Sequence, residues 1–306
     1  MQPAHASDAT PSLIELCSED STRLPCRVGP YRLEAEIGFG SMGAVFRAID
    51  ERLARRVAVK HVSAPQPAPA TDQSFWREAR AVARLSHSAI VQIFDIVEDE
   101  IGGWIVMELV EGRTLASLLE EGPLSVIRAL RLFAQAADGL GEAHDKGLLH
   151  RDLKAENLMV TSSGHAKLLD FGLAQNFDGT VSDPESSEGL KPEAGLLAGT
   201  PCSMSPEQAL GLELDPRSDL FAFGALLYEA LTGRKPFRAR GLAATLHQVC
   251  FAQQQPAHEL DPRIPEELSQ LIDRLLQKDA EERPRDAHEV ARALRLIFPG
   301  GLSRTR

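Results

Sequence analysis

The sequence predicts a segregated α+β fold, with strands gathered in the first third of the chain and helices in the remainder. Three observations carry this. Alternating or β-branched runs recur up to about residue 109, long stretches with apolar residues three and four apart follow, and no internal repeat interrupts the order. A length of 306 residues is enough for one large domain or two lobes with ample core.

Residues 1–28 carry Pro3, Pro11 and Pro25 and little periodicity, so a flexible tail is expected, with Leu13–Leu16 as an alternative docking segment. Residues 31–37 alternate apolar and polar side chains, which predicts a strand, and 44–48 predict a second. Gly38-Phe39-Gly40-Ser41-Met42-Gly43 lies between them. On its own this is either a plain hairpin or a place where a phosphate approaches backbone that carries no Cβ. Residues 56–62 form a third strand with Lys60 among β-branched neighbours, either an edge-strand charge or a functional one. Pro65–Pro69 is a loop, and 75–85 have helical spacing with Glu78 in the middle. Residues 89–96 and 104–109 predict two more strands.

Helices follow. Residues 124–146 form a long amphipathic pattern, and 219–232 are apolar nearly all round, as expected of a buried central helix. Residues 265–278 and 286–298 predict two more, the last opening with Asp286 and Glu289 at capping-box spacing.

Bulk properties narrow the function. A net charge of −11 argues against a nucleic-acid or anionic-membrane binder, since either needs a basic face. Cys17, Cys26, Cys202 and Cys250 form no CxxC pair, so reduced thiols in a cytoplasmic protein are expected. No basic-then-apolar leader opens the sequence, and no apolar run approaches the ~18 residues of a membrane span.

The most informative stretch is 148–172, LLHRDLKAENLMVTSSGHAKLLDFG. Residues 158–160 and 167–169 read as strands of a hairpin turning at Ser162-Ser163-Gly164. Asp152 and Asn157 lie at one end and Asp170 at the other, an oxygen-rich set that suits Mg²⁺.

HRDLKAEN at 150–157 followed by DFG at 170–172 resembles the catalytic and metal loops of eukaryotic-type serine/threonine protein kinases. GTPxxMSPEQ from Gly199 resembles bacterial members in particular. The resemblance covers about residues 30–298. It implies a bilobal protein-kinase-like fold: an N-terminal antiparallel sheet plus helix C, then a mainly helical C-terminal lobe. The implied kinase domain is 29–298, with an N-lobe at about 29–107, a hinge at 108–112, a C-lobe at 113–298 and a short tail at 299–306.

It also implies ATP and Mg²⁺. Gly38, Gly40 and Gly43 would cradle phosphate, and Lys60, held by Glu78, would pair with it. Ile37, Val45, Ala58 and Met159 would sandwich adenine, with Met107 as gatekeeper and Glu108 and Val110 at the hinge; burial in a core would explain these apolar residues equally well. Asn157 and Asp170 would bind metal. Asp152 would accept or orient the hydroxyl proton, Lys154 would contact the transferring phosphate, and Thr200 would brace both. Glu207 and Arg283 would form a buried ion pair, with Asp219 and Gly224 at the start of the central helix.

Ala155 stands where the family usually has Pro, and Cys202-Ser203 replaces a pair that usually ends in an aromatic; a buried inert thiol is expected at Cys202 in preference to a redox-sensitive one. Residues 189–198 hold no Ser, Thr or Tyr, so Glu193 is expected to stand in for an activating phosphate opposite Arg151, with Thr180, Ser182, Ser186 and Ser187 as alternative sites. The expected function is transfer of the ATP γ-phosphate to Ser/Thr hydroxyls of protein substrates, with an upstream regulator protein as a further partner. One alternative is a pseudokinase-like ATP-binding scaffold, which retention of Lys60, Asp152 and Asp170 opposes. The other is a small-molecule phosphotransferase on the same fold, which Thr200 and Arg283 oppose.

Overall fold

The computed structural model describes residues 27–40, 43–62, 77, 79–98, 103–171 and 201–297. Two compact units emerge, and among these residues the first comprises those up to Val62 together with Ile93–Leu109.

The first unit is a six-stranded antiparallel sheet. Its strands are β1 (Arg27–Val28), β2 (Tyr31–Gly40), β3 (Gly43–Asp50), β4 (Arg55–Val62), β5 (Ile93–Glu98) and β6 (Gly103–Glu108), in spatial order β1-β2-β3-β4-β6-β5. Alternation sends Leu33, Phe46, Ala48, Val57, Val59, Trp104 and Val106 into one core. Lys60 therefore sits on a central strand, paired with Val45 on one side and Ile105 on the other, and is 4% exposed. An edge-strand role for its charge is excluded. The strand expected at 89–96 begins only at Ile93. Ala89, Ile90 and Val91 are buried as expected, but Ile90 makes a lone parallel bridge to Leu168 in the second unit. An apolar run reports burial and not the kind of backbone pairing.

The second unit opens, in the described part of the expected 75–85 helix, with helical turns at 79–82. β7 (Gly112–Thr114), β8 (Leu158–Thr161) and β9 (Ala166–Leu168) form a small antiparallel sheet. The β8–β9 hairpin matches the expectation, whereas β7 is too short to show a period. The helices are α1 (Leu115–Leu119), α2 (Val126–Asp145), α3 (Pro206–Ala209), α4 (Pro216–Thr232), α5 (Leu242–Phe251), α6 (Ala257–Leu260), α7 (Glu266–Leu275) and α8 (Ala287–Ile297).

Helix α4 starts three residues before the expected 219, because Asp215 caps the Arg217 N–H at 2.7 Å and Pro216 opens the first turn. It ends at Gly233, whose φ of +69° is the left-handed C-terminal conformation. Gly224 lets α7 approach: a Cβ there would lie 2.6 Å from Leu275 Cβ. Helix α7 stops at Leu275 and not at 278. The carbonyls of Gln277 and Lys278 instead accept from Arg283, at 2.8 and 3.2 Å. At α8, Asp286 caps Glu289 as the spacing predicts, but the Glu289 carboxylate returns to the Arg285 N–H.

Candidate active site

In the second unit the loop between α2 and β8 carries the candidate chemistry, and a buried acid fixes its backbone. Asp219, in the first turn of α4 and 2% exposed, accepts from the N–H of His150 at 2.7 Å and of Arg151 at 2.8 Å. Its Oδ2 also meets His144 Nε2 at 2.8 Å. Burial opposes ionisation of Asp219, but the hydrogen bond from His144 and the charges and N–H groups around it outweigh that penalty. The carboxyl is held below its usual range. Arg151 has φ +63°, a left-handed conformation costly for a side chain that bears a Cβ. Two bonds hold it there: its N–H to Asp219, and its carbonyl to Gln208 Nε2 at 2.7 Å. Gln208 is itself fixed by a full capping box with Ser205 at the start of α3.

Asp152 follows this strained residue. Its Oδ2 lies 2.7 Å from Lys154 Nζ and accepts from Asn157 Nδ2 at 3.0 Å. Asn157 Nδ2 also donates to the Asp152 carbonyl at 2.8 Å. Three sequence-predicted residues thus converge, with the Asp152 and Lys154 side chains each 18% exposed. Ala155, at the position usually held by Pro, opens the short helical turn that ends at Asn157.

The β8–β9 hairpin brings Asp170 toward this group. The Leu169 N–H donates to the Asn157 carbonyl at 2.9 Å, so Asp170 is the next residue along. Asp170 has φ +53°, and Phe171 beside it packs on the His150 ring at 4.6 Å between centroids. His150 is fully buried, and burial pushes its pKa down against the pull of the nearby Asp219, Asp152 and Asp170 carboxylates. The oxygen chemistry fits Mg²⁺: Asn157 commits its amide nitrogen to Asp152, which leaves the amide oxygen, and Asp170 adds a carboxylate. No cluster of three or more His, Cys, Asp or Glu with metal-binding geometry occurs among the described residues.

Within the first unit, strand register gathers another group. Val45 pairs with Lys60, and Ala58 with Met107, so all four lie on the sheet face opposite the hydrophobic core, with Gly38 paired to Val45. Gly43 has φ +125°, and a Cβ there would collide with the His61 carbonyl. Ile37 is 48% exposed at a β2 irregularity, Gly40 pairs with Gly43, and Glu108 ends β6 opposite Val57. Val110 and Met159 belong to the second unit and are half-buried, Met159 between Thr114 and Lys167. Glu78, Thr200, Glu193 and the alternative phosphorylation sites at Thr180, Ser182, Ser186 and Ser187 lie outside the described residues.

The buried ion pair forms where the sequence placed it. Arg283 reaches Glu207 through two bonds of 2.7 and 3.0 Å, and spends its remaining N–H groups on the carbonyls of Gln277, Arg217 and Lys278. Sequence reasoning missed His144, which carries no periodic signal, and Gln208, although its S-x-x-Q spacing after Ser205 was visible. It also expected Cys202 to be buried; the thiol is half-buried at the wall of a cavity. That cavity, about 250 Å³, lies in the second unit between α1, the catalytic loop and α4.

The family model of the protein kinase domain matches residues 31–293, and the chain belongs to that family. The serine/threonine-protein kinase pkn2 of Myxococcus xanthus is 40% identical over 272 residues, 87% of this chain and 32% of that protein. PknA of Mycobacterium tuberculosis is 35% identical over 89% of this chain and 62% of its own length. The serine/threonine-protein kinase pkn3 of Myxococcus xanthus is 38% identical over 87% of this chain and 50% of its own length. The chain thus spans between about a third and three fifths of these curated relatives.

Proposed function

We propose that this chain is a serine/threonine protein kinase that transfers the γ-phosphate of ATP to hydroxyls of protein substrates. The observation that carries the reading is the Asp152 carboxylate, held by both Lys154 and Asn157 on a loop locked by Asp219. A substrate hydroxyl presented to Asp152 gives up its proton to that carboxylate as its oxygen bonds to phosphorus and the bond to ADP breaks. Positioning does most of this work, because the transition state is loose. Lys154, already at the carboxylate, is placed to move its charge onto the transferring phosphoryl group. Asn157 and Asp170 would hold Mg²⁺, which offsets phosphate charge when bound. Lys60, Val45, Ala58 and Met107 offer a cation and an apolar face to nucleotide, with Gly38, Gly40 and Gly43 permitting close approach.

Retention of Lys60, Asp152 and Asp170 supports catalysis over a scaffold that only binds ATP. Among the described residues no helix is long and apolar enough to cross a membrane, and a cytoplasmic site of action fits that. The acidic net charge disfavours nucleic acid as a partner. Regulation by Glu193, and by an upstream partner protein, belongs to the same reading.

The test is transfer of labelled γ-phosphate with Mg²⁺, using protein co-expressed with a phosphatase, on itself and on a generic basic protein. Label with wild type and none with Asp152→Asn is expected. ATP binding without any transfer would favour the scaffold, and transfer to small metabolites alone would favour a metabolite kinase.

A further inference from the structure

The turn that leads into Asp152 is held from two sides. The Asp152 N–H donates to the His150 carbonyl at 2.8 Å, which closes a three-residue turn around Arg151 at φ +63°. So tight a turn with its central residue at positive φ is rare and strained, and neighbouring groups must hold it. From α4, Asp219 accepts the Arg151 N–H at 2.8 Å. From α3, Gln208 Nε2 donates to the Arg151 carbonyl at 2.7 Å. That carbonyl belongs to the same peptide unit as the Asp152 N–H, so the second bond acts directly on the backbone of the reacting residue.

Gln208 uses both ends of its amide. Its Oε1 accepts from the N–H of the buried Ser205 at 2.9 Å, while the Ser205 hydroxyl accepts from the Gln208 N–H at 3.2 Å. For this capping box alone glutamate serves as well as glutamine, and in the first turn of a helix a negative charge is the better choice. A carboxylate, however, has no hydrogen to donate and would set an oxygen against the Arg151 carbonyl. The amide is therefore required by the catalytic loop and not by the helix. The residue before it, Glu207, anchors α3 through bonds of 2.7 and 3.0 Å to the buried Arg283, so the donor is presented from a fixed base.

We infer that Gln208 is a positioning residue for phosphoryl transfer, acting through the donor end of its amide on the peptide that sets the orientation of Asp152. The inference rests on the kinase reading and adds to it a residue that touches neither nucleotide nor acceptor. Its loss should therefore appear in kcat and hardly in KM.

The experiment compares wild type with Gln208→Glu, which keeps the size and the capping-box acceptor but loses the donor, and with Gln208→Met, which loses both. Values of kcat and of KM for ATP and a protein substrate are measured along a pH series from mildly acidic to mildly alkaline. At the alkaline end Gln208→Glu should lower kcat by about 10- to 10²-fold, with each KM within about twofold of wild type. Protonation gives the introduced carboxyl an O–H that can donate to the Arg151 carbonyl, and a site that bonds the neutral acid raises its pKa above the usual value of about 4.3. The ratio of Gln208→Glu to wild-type kcat should therefore climb as pH falls, while the ratio for Gln208→Met stays low and flat. Wild type measured at each pH cancels the ordinary pH dependence of transfer, and a residue that only supported the fold of α3 would give no acid recovery. Wild-type kcat in Gln208→Glu at alkaline pH would overturn the inference and leave the kinase reading intact. A slow Gln208→Glu enzyme whose ratio does not recover in acid would overturn it too, because the loss would not come from the missing donor. No transfer by wild type to any protein would remove the kinase reading and this inference with it.

Discussion

On the sheet of the first unit, Val45, Ala58, Lys60 and Met107 share a face because backbone ladders pair their strands. In the loop of the second unit, Asp152, Lys154 and Asn157 are placed by side chains: Asp219 and Gln208 grip the backbone, and Asn157 reaches back to the carboxylate. The two constructions fail differently. A ladder is made of main-chain bonds that any substitution retaining a strand preserves, whereas the loop holds a non-glycine residue at positive φ and depends on a few buried polar atoms. The difference teaches where single substitutions should hurt most.

The largest effect is expected at the reacting carboxylate. Asp152→Asn should lower phosphoryl transfer by about 10²- to 10⁴-fold, the usual span for losing a positioned acid or base, while ATP binding is retained. Next come the buried charges. Asp219→Ala or Glu207→Ala should cost ~3–5 kcal/mol in chemical denaturation, because each leaves buried donors or a cation without a partner. Both carboxyls have folded pKa values held below the ordinary range, against the burial that opposes their ionisation. Their stabilisation is therefore fully present above the unfolded carboxyl value of about 4 and is lost as pH falls through the folded values. Denaturation midpoints measured down an acid series should fall in that window for wild type and fall less steeply for Asp219→Asn. An unchanged slope would remove Asp219 as the lock.

Smaller effects sharpen the contrast. Gly224→Ala should cost ~1–3 kcal/mol by forcing α4 away from Leu275. Gln208→Ala, which removes the side-chain oxygen that accepts from the Ser205 N–H and the bond to the Arg151 carbonyl, should cost about 1 kcal/mol in stability and lower transfer more than that figure implies. On the sheet, Arg47→Ala breaks only an exposed pair with Glu34 and should move stability by less than ~0.5 kcal/mol. A larger loss at Arg47 than at Gln208 would reverse the comparison.

The same contrast explains what was legible in the sequence. The sheet and long helices show as periods of two and 3.6, so Lys60, Ala58 and the hydrophobic rows could be placed on faces before any coordinates. Asp152, Asn157 and Asp170 were legible as an oxygen-rich cluster, and their roles came by resemblance. Bonds between distant residues left no periodic trace: His144 and Gln208 lie 75 and 57 residues from the groups they hold. The strand expected from Ala89 failed for a related reason, since its apolar residues are buried through a lone bridge to Leu168. The residues that wall the cavity beside the catalytic loop come from α1, that loop and α4, and only folding brings them together.

The most direct test of the central claim is a double-mutant cycle on phosphoryl transfer with Asp152→Asn, Asp219→Asn and the pair, measured under conditions where all four proteins are folded. If Asp219 acts by holding the loop that carries Asp152, its loss should slow wild type strongly and the Asp152→Asn enzyme hardly at all. Losses that simply multiply would mean that the two carboxylates act independently, and the locked-loop account would be wrong.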